Sequence, residues 1–413
     1  MVNEFKNAAG VTFPQGFKAA GVKAGIKKSG NLDVAVIYTE KEAVVAGTFT
    51  QNAVAAAPVF ASKAVVATGT AHAIVANAGC ANACTGEQGE KDAKATQEIA
   101  AKALGCDPLD VIVASTGVIG VTLPMDKMEN GVKEAVSELS EDGSSAASQA
   151  IMTTDTHPKS AALEIEVGGK KVRFGVIAKG SGMIQPNMAT MLCFITTDLA
   201  IDGKLLQKAL SEIVETSFNM ISIDGDMSTN DTVLVMANGA SGVKLESPED
   251  IYAFQQALAH VMLELAKHIV QDGERVTKFV TVHVTGGRTE DEAKKAAEAV
   301  AKSSLVKSSW NGNDPNWGRI IHAVGYCGAK VDEEKIDIDI AGLAACRGGV
   351  QADTPSDDLR QAVQVPAFQV DINLNRGEFS HTVYTTDLSP EYVDFNRSEY
   401  AYWNQAKADG LTC

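Results

Sequence analysis

One segment of the sequence combines a lysine, two glycines and a hydroxyl residue at the start of an apolar run. It reads KGSGMIQPNMATMLCFITTD over residues 179–198, with Lys179 at its head and Thr190 before the apolar residues. A threonine at the head of a buried strand is usually a packed β-branched residue, but its fixed position also suits a nucleophile. If the preceding peptide bond is cleaved, the new α-amine, with a reference pKa of about 7.7–8.0, can act as its base. Lys179 would then supply a positive charge near a carboxylate or an oxyanion.

A second segment, VIVASTGVIG over residues 111–120, ends an apolar run in Ser-Thr-Gly. Such an ending is common where a strand simply stops in a turn. It also suits an oxyanion site, in which a hydroxyl and a main-chain N–H point at developing negative charge. The sequence alone leaves both interpretations open.

A third segment, ISIDGDMSTNDTVLV over residues 221–235, concentrates acidic and amide side chains around a glycine. It lacks the twelve-residue spacing and the closing glutamate of a calcium-binding EF-hand loop. We therefore predict a hydrogen-bonded polar turn here.

Metal chemistry is disfavoured by the arrangement of cysteine and histidine. The seven cysteines form no C-x-x-C pair, and the seven histidines form no H-x-x-x-H pair. Neither set has the spacing of zinc ligands. The cysteines are best explained as free thiols in a reducing compartment, and no metal site is predicted.

The elements that must position these residues form a mixture of strands and helices. Apolar runs bounded by glycine and polar turns predict strands at 32–39, 71–79, 110–116 and 278–285, and a hairpin of 163–167 with 171–178. Helices are predicted over 90–104, from the N-cap Ser247, and from Thr289, which has the form of a capping box, to about residue 302.

This alternation predicts a layered α/β or α+β fold. The length of 413 residues corresponds to two or three domains. Strand and helix patterns restart after Gly286-Gly287. We therefore predict a catalytic domain over 1–286 and a smaller α/β domain over 287–413.

The amino-acid composition restricts the classes of partner that the chain can be expected to bind. Charged residues make up 21% of the chain and the formal net charge is −16. Nucleic acids and anionic membranes require basic surfaces, so neither is expected as a partner. No run approaches the ~20 apolar residues that span a bilayer, and no signal or transit pattern is visible at the N-terminus. The cytoplasm is the expected location.

Taken together, the segments resemble the ornithine acetyltransferase family, the bifunctional glutamate N-acetyltransferases of arginine biosynthesis. The resemblance extends almost from end to end. The motifs that carry it, in chain order, are FPQGFKAAGVKAGIK (13–27), GTFTQNAVAAAPV (47–59), NAGCANACTGEQG (77–89), VASTGVIGVTLPMDKM (113–128), MTTDTHPK (152–159), GSGMIQPNMATML (180–192), DGDMSTNDT (224–232), DGERVTKF (272–279) and DPNWGRI (314–320).

The resemblance implies self-cleavage between Ala189 and Thr190. The resulting α chain (1–189) and β chain (190–413) would together form an N-terminal-nucleophile-like αββα sandwich and assemble as α2β2. Thr190 would accept the acetyl group of N-acetylornithine, release ornithine and pass the acetyl group to glutamate. No cofactor is implied, although acetyl-CoA would be a second acetyl donor in a bifunctional member.

The resemblance also implies roles for individual residues. Thr116 and Gly117 match the oxyanion pair of the family. The substrate-binding positions match Lys179, Glu274, Asn396 and Thr153, for which the neighbouring Thr154 is the alternative. A zwitterionic amino acid needs a cation for its carboxylate and an anion for its ammonium group, and Lys179 and Glu274 have those signs.

Three departures from the family pattern affect this interpretation. Arg275 follows the proposed substrate glutamate, Cys80 replaces the usual asparagine, and the C-terminal tail is longer and altered. The tail closes the site in the family, so we assign no last binding hydroxyl. Two alternatives therefore stay open: a hydrolase with the same N-terminal threonine, as in the related aminopeptidase fold, and a non-catalytic amino-acid-binding protein.

Overall fold

The computed structural model describes residues 10–185 and 191–397. The first unit contains an eight-stranded sheet. Its strands are β1 Phe17–Val22, β2 Val34–Phe49, β3 Thr70–Cys80, β4 Val111–Val118, β5 Lys159–Val167, β6 Lys170–Lys179, β7 Leu192–Thr197 and β8 Thr232–Ala237. Its helices are α1 Ala57–Thr68, α2 Gly86–Leu104, α3 Met125–Ser137, α4 Ser144–Ala150, α5 Gly203–Glu215 and α6 Pro248–Gln271.

The order of the strands in this sheet is β4-β3-β2-β8-β7-β6-β5, with β1 paired to β2. The 16-residue strand β2 joins two portions of the sheet. Its first part pairs with β1 and β3, and its last part pairs with β8. The pairs β3–β4 and β7–β8 are parallel, and the other pairs are antiparallel.

The two portions of the sheet enclose one apolar core. Ile74 and Ile112 from β3 and β4 share this core with Phe194 and Met236 from β7 and β8. Because side chains alternate along a strand, the opposite faces are free to pack against helices. Helices α2 and α3 cover the β1–β4 portion, and α5 and α6 cover the β5–β8 portion. The order of layers is helix, sheet, sheet, helix, as predicted for the αββα sandwich.

The second unit is a six-stranded sheet with the order β12-β11-β10-β13-β9-β14. Its strands are β9 Phe279–Gly287, β10 Asp337–Ile340, β11 Leu343–Arg347, β12 Val350–Gln351, β13 Ala367–Asn373 and β14 Phe379–Thr386. Its helices are α7 Glu290–Lys302, α8 Ser304–Asn311, α9 Trp317–Gly325 and α10 Ser356–Ala362, and α11 Pro390–Asn396 follows the last strand.

Several local predictions are confirmed. The strands at 71–79 and 110–116, the helix at 90–104 and the hairpin around Gly168-Gly169 are all present. Ser247 caps α6 in a full capping box. Thr289 caps α7 by accepting from Glu292 N–H, but the Glu292 carboxylate accepts from Arg288 N–H instead of closing the box.

The strand before the predicted domain boundary belongs to the second unit. β9 lies inside the six-stranded sheet, between β13 and β14. The change from one sheet to the other therefore occurs before Phe279, whereas the predicted division after residue 286 falls within the last residues of β9.

In the described part of the chain, no helix combines the length and the apolar composition needed to cross a bilayer.

Candidate active site

The end of β4 brings Thr116 and Gly117 to the boundary between core and solvent. Thr116 is buried and Gly117 is exposed. Gly117 has φ +131°, and an added Cβ would overlap the main chain of Gly79 and Cys80 on the neighbouring strand. The parallel register places Gly79 directly beside Gly117. This position therefore requires glycine for both its backbone conformation and its close contact.

Lys179, at the end of β6, reaches this same strand end. Its buried Nζ donates a hydrogen bond to Thr116 Oγ1 over 3.1 Å. Because the ammonium group donates to the hydroxyl oxygen, the hydroxyl proton of Thr116 stays available for another acceptor. That arrangement meets the requirement for an oxyanion-binding hydroxyl.

The charge on Lys179 depends on the carboxyl groups around it. Burial lowers the pKa of Lys179, and the nearby Lys159 lowers it further. The carboxyl groups of Asp155, Glu274 and Asp231 oppose both effects. Lys179 is thus a buried amino group that three acidic side chains face, and their charges favour its protonated form.

Asp155 connects Gly180, the residue after Lys179, to the predicted binding residue Thr153. One carboxylate oxygen accepts from Gly180 N–H at 2.8 Å and from Lys159 Nζ at 2.6 Å, and the other accepts from Thr153 N–H at 3.0 Å. Burial would raise the pKa of Asp155, but the positive charges of Lys179 and Lys159 and the hydrogen bonds from Lys159 and Gly180 lower it to about 2. Asp155 is therefore an anion that fixes the loops on both sides of it.

Lys159 extends this network to the end of α6. Its Nζ also contacts Asp272 Oδ2 at 2.6 Å, and both side chains are buried. The main-chain oxygen of Asp272 accepts from Ser181 Oγ at 2.6 Å, and Glu274 N–H donates to Ser181 O at 2.9 Å. The Gly-Ser-Gly segment after Lys179 is thus attached to the loop that carries Glu274.

Glu274 and Asn396 meet on the other side of this segment. Asn396 Nδ2 donates to Glu274 Oε2 at 3.0 Å and to Tyr392 O at 3.1 Å. The Glu274 carboxyl group packs on Gly182, where a Cβ would overlap it. The glycine at 182 therefore leaves the space that the carboxylate occupies.

Arg275, the first departure from the family pattern, points away from this cluster. Its guanidinium carbon lies 4.9 Å from the centre of the Phe395 ring. Its main-chain oxygen accepts from Ser389 Oγ at 2.7 Å. The side chain of Arg275 thus contacts α11 rather than the carboxyl group of Glu274.

Two aspartates from one turn bind the main chain on both sides of the predicted cleavage position. Asp224 accepts from Met183 N–H at 2.5 Å and Ile184 N–H at 2.8 Å. Asp231 accepts from Met191 N–H at 3.1 Å. The predicted cleavage residues Ala189 and Thr190 lie outside the described residues.

Asn230, next to Asp231, binds the strand end that carries Thr116. Its Nδ2 donates to Ser115 O at 2.9 Å and to Ala81 O at 2.7 Å, and Thr229 Oγ1 donates to its Oδ1 at 2.6 Å. The segment is the hydrogen-bonded polar turn that its sequence predicts. It also makes contacts that the sequence did not reveal. Asn230 is separated in the chain from Ala81 by 149 positions and from Ser115 by 115 positions.

The predicted residues fall into two connected groups. Lys179 contacts Thr116 directly, Asp155 joins the main chain of Thr153 to that of Gly180 next to Lys179, and Glu274 contacts Asn396. Sequence reasoning missed the connecting residues Asp155, Lys159, Asp272, Asn230 and Asp231. The sequence motifs that contain these five residues could be identified, but the residue types did not indicate which groups they contact in the fold. Within the described ranges, no three His, Cys, Asp or Glu side chains cluster as metal ligands would.

A family model and individual relatives of known function all match this chain to the same family. The ArgJ family model matches residues 18–401. The arginine biosynthesis bifunctional protein ArgJ of Symbiobacterium thermophilum is 47% identical over 395 residues, which are 95% of this chain and 98% of that relative. The glutamate N-acetyltransferase of Methanocaldococcus jannaschii is 46% identical over 403 residues, again 95% of this chain and 98% of the relative.

A solved structure of ornithine acetyltransferase from Mycobacterium tuberculosis, complexed with ornithine, is also similar. It is 44% identical in sequence with a TM-score of 0.42, and the match covers 44% of this chain and 97% of that chain.

Proposed function

The chain belongs to the ArgJ family, and on this premise we propose that it is a self-processing N-acetyltransferase of arginine biosynthesis. It moves the acetyl group of N2-acetylornithine to glutamate through an acetyl-threonine intermediate on Thr190. The observation that carries this proposal is that adjacent residues, Asn230 and Asp231, bind the strand end of Thr116 and the residue that follows Thr190.

The proposed reaction begins when the chain is cut between Ala189 and Thr190. The hydroxyl oxygen of Thr190 attacks the acetyl carbonyl of the donor, and the new α-amine of Thr190 takes the hydroxyl proton. This proton then passes to the departing α-nitrogen of ornithine as the amide bond breaks. In the second half, the α-amine of glutamate attacks the acetyl ester, and the threonine hydroxyl regains a proton.

The negative charge that develops on the acetyl oxygen would be stabilised at Thr116 and Gly117. Lys179 already donates to the Thr116 hydroxyl, so the hydroxyl proton can be directed at the oxyanion. A preorganised donor of this kind contributes about 10²–10³ in rate. The ammonium group of Lys179 adds a positive charge beside the same position.

Substrate binding would use the charges on both sides of the Gly-Ser-Gly segment. Lys179 would attract a carboxylate, and Glu274 with Asn396 would hold the ammonium end of the amino acid. Thr153 would complete the hydrogen bonds through its hydroxyl. Local positive charge matters because a chain with a net charge of −16 does not attract glutamate from a distance.

The sheet explains how two fragments would stay together after cleavage. Strands β7 and β8 follow the cut and lie between β2 on one side and β6 on the other. Their neighbours β2 and β6 come from the residues before the cut. The fragments would therefore share one hydrogen-bonded sheet, and separating them would disrupt the core.

Further parts of the proposal are the α2β2 assembly, the absence of a resident cofactor and the use of acetyl-CoA as a second donor in a bifunctional enzyme. We place the protein in the cytoplasm because the six cysteines of the described chain are free thiols, which is typical of a reducing compartment.

Intact-mass measurement of the purified protein tests the proposal. We expect two fragments, the second beginning at Thr190, and one uncut, inactive chain for Thr190→Ala. Product analysis with and without glutamate then separates transfer from hydrolysis, since transfer needs the acceptor. An active enzyme that consists only of the uncut chain would refute self-processing, and ornithine release that is independent of glutamate would favour the hydrolase.

A further inference from the structure

The short helix α11, which brings Asn396 to Glu274, does not rest on a buried apolar face. None of its seven residues, all of which the structure describes, is buried, and Val393 is 57% exposed. Short isolated helices are marginal in water, and helices in proteins are stabilised mainly by the apolar face that they bury. The position of α11 therefore depends on a small number of specific contacts.

Arg275 makes one such contact at each end of this helix. At the start, the N-cap Ser389 donates from Oγ to Arg275 O at 2.7 Å, and the same Oγ accepts from Tyr392 N–H at 3.1 Å. In the last turn, the guanidinium carbon of Arg275 lies 4.9 Å from the centre of the Phe395 ring. This distance is that of a cation–π contact. One loop residue thus holds both ends of α11.

The backbone of Arg275 is in a conformation that arginine seldom adopts. Its φ is +57°, in the left-handed region that glycine, asparagine and aspartate occupy more readily. Residues held in sparsely populated conformations occur most often at functional sites, where the surrounding structure fixes them. Here the contact with Phe395 is a compensating interaction that depends on the long cationic side chain.

The position of α11 matters because the substrate glutamate precedes Arg275 directly. Glu274 Oε2 accepts from Asn396 Nδ2 at 3.0 Å, while Arg275 contacts Phe395. Two adjacent residues of the loop therefore contact two adjacent residues of the helix. A displacement of α11 that separates Arg275 from Phe395 would also move the amide of Asn396 away from the carboxyl group of Glu274.

We propose that Arg275 is a positioning residue for the substrate site. It holds α11 through Ser389 and Phe395, and α11 in turn keeps Asn396 on the carboxyl group of Glu274. This inference rests on the proposed function, in which Glu274 binds the ammonium end of the substrate. Arg275 itself does not touch the substrate, and it acts on affinity rather than on the chemical step.

Arg275→Asn tests this role, because asparagine tolerates the left-handed backbone and keeps the carbonyl for Ser389 but lacks the guanidinium group. We expect KM for N-acetylornithine and glutamate to rise about 2–5-fold, the loss expected for an exposed cation–π contact. The kcat and the melting temperature should stay unchanged. Hydrogen–deuterium exchange should become faster in α11. Arg275→Lys, which keeps a cation over the ring, should restore part of the affinity.

A double variant tests whether Arg275 acts through Asn396. If it does, R275N combined with Asn396→Ala should raise KM no further than N396A alone. The matched control is Arg397→Asn, which removes the same charge beside α11. Arg397 is exposed and pairs with Asp394, so its loss should leave KM and the exchange of α11 unchanged.

The outcomes separate this inference from the proposed function. If the wild type transfers acetyl groups and R275N keeps its KM values and its exchange rate in α11, the role of Arg275 is wrong and the proposed function stands. A rise in KM that adds to that of N396A, or a lower melting temperature with unchanged KM, also contradicts the role. A wild type that transfers no acetyl group overturns both. If R275N does not accumulate, Phe395→Leu removes the same contact and provides the same measurements.

Discussion

The Nζ of Lys179 donates to Thr116 Oγ1 over 3.1 Å, although the two residues are 63 positions apart in the chain. Their strands, β6 and β4, are five steps apart in the same sheet. At about 4.8 Å per step, a flat sheet would separate them by roughly 24 Å. The contact exists because the two portions of the sheet face each other, so the sandwich fold itself forms this part of the candidate site.

Replacing Lys179 by methionine should impair catalysis without unfolding the protein. The change removes the donor to Thr116 and the positive charge, so we expect kcat/KM for N-acetylornithine to fall about 100–1000-fold. Steady-state kinetics on the purified variant would measure this. Lys171→Met is the control, because Lys171 lies at the exposed start of the same strand, and it should behave as wild type. A K179M enzyme with normal kinetics would contradict the proposed oxyanion site.

Replacing Gly117 by alanine should disturb the end of β4. The new Cβ would overlap the main chain of Gly79 and Cys80 at a positive φ. We expect a loss of about 1–3 kcal/mol in the free energy of unfolding, together with slower turnover. Thermal melting and product formation would measure the two effects.

The matched control for this change is Gly242→Ala. Gly242 also has a positive φ, but an added Cβ would meet nothing within 4 Å. It should therefore show only the backbone cost of about 1 kcal/mol. Equal destabilisation by the two substitutions would mean that the contact with Gly79 is unimportant.

The local elements could be predicted from the sequence because their signals are local. The caps at Ser247 and Thr289 and the alternating valines of β9 depend on neighbours within a few positions. The boundary at residue 286 illustrates the limit of such reasoning. The valine pattern identified β9 as a strand, but only pairing with β13 and β14 shows to which sheet the strand belongs.

The candidate site was predicted only as a set of separate residues. The motifs drew attention to Thr116, Lys179 and Glu274, but no sequence pattern pairs Lys159 with Asp272, which is 113 positions away. Lys159 is buried between two carboxylates in the structure. In the sequence it cannot be distinguished from an ordinary exposed lysine. Its role depends on tertiary packing, which brings the end of α6 next to the start of β5.

Substitutions at Glu274 and Asn396 should affect substrate binding to different extents. Glu274→Gln removes the proposed partner of the substrate ammonium group, and we expect KM to rise about 10–100-fold, the equivalent of a charge-assisted hydrogen bond. Asn396 is exposed and acts through Glu274, so Asn396→Ala should raise KM only about 2–5-fold.

Kinetics with both N-acetylornithine and glutamate would measure these effects. Glu391→Gln, at an exposed position of the same helix α11, is the control and should leave KM unchanged. A larger effect of N396A than of E274Q would contradict the assigned order of contacts.

Asn230→Ala should affect stability and turnover together. The substitution leaves the buried carbonyls of Ala81 and Ser115 without their donor, and an unsatisfied buried group costs about 1–3 kcal/mol. Because Ser115 precedes Thr116, we also expect kcat to fall more than KM rises. Denaturant unfolding and steady-state kinetics would measure this.

The control for Asn230→Ala is Asn375→Gly in the second sheet. Asn375 also donates two hydrogen bonds from its amide, to Lys335 O and Asp337, but it is exposed. Glycine tolerates its positive φ. The control should retain full activity, and a normal kcat for N230A would show that this amide does not position the Thr116 strand.

The stability contributed by Asp155 should depend on pH in a defined window. Its pKa is lowered from 3.8 to about 2, so the native state binds this proton less readily than the unfolded state. Its contribution, about 2 kcal/mol, is therefore complete above pH ~4–5 and is lost as the pH falls through 3.8 toward 2. Denaturant unfolding of wild type and Asp155→Asn should show a difference in the free energy of unfolding that shrinks over this range.

The Thr190→Ala background is suitable for this comparison, because an uncut chain unfolds as a single molecule. Asp142→Asn, at an exposed position, should give no such pH-dependent difference. If the difference between wild type and D155N stays constant from pH 6 to pH 2.5, the ion pair of Asp155 with Lys159 and the nearby charge of Lys179 do not lower its pKa.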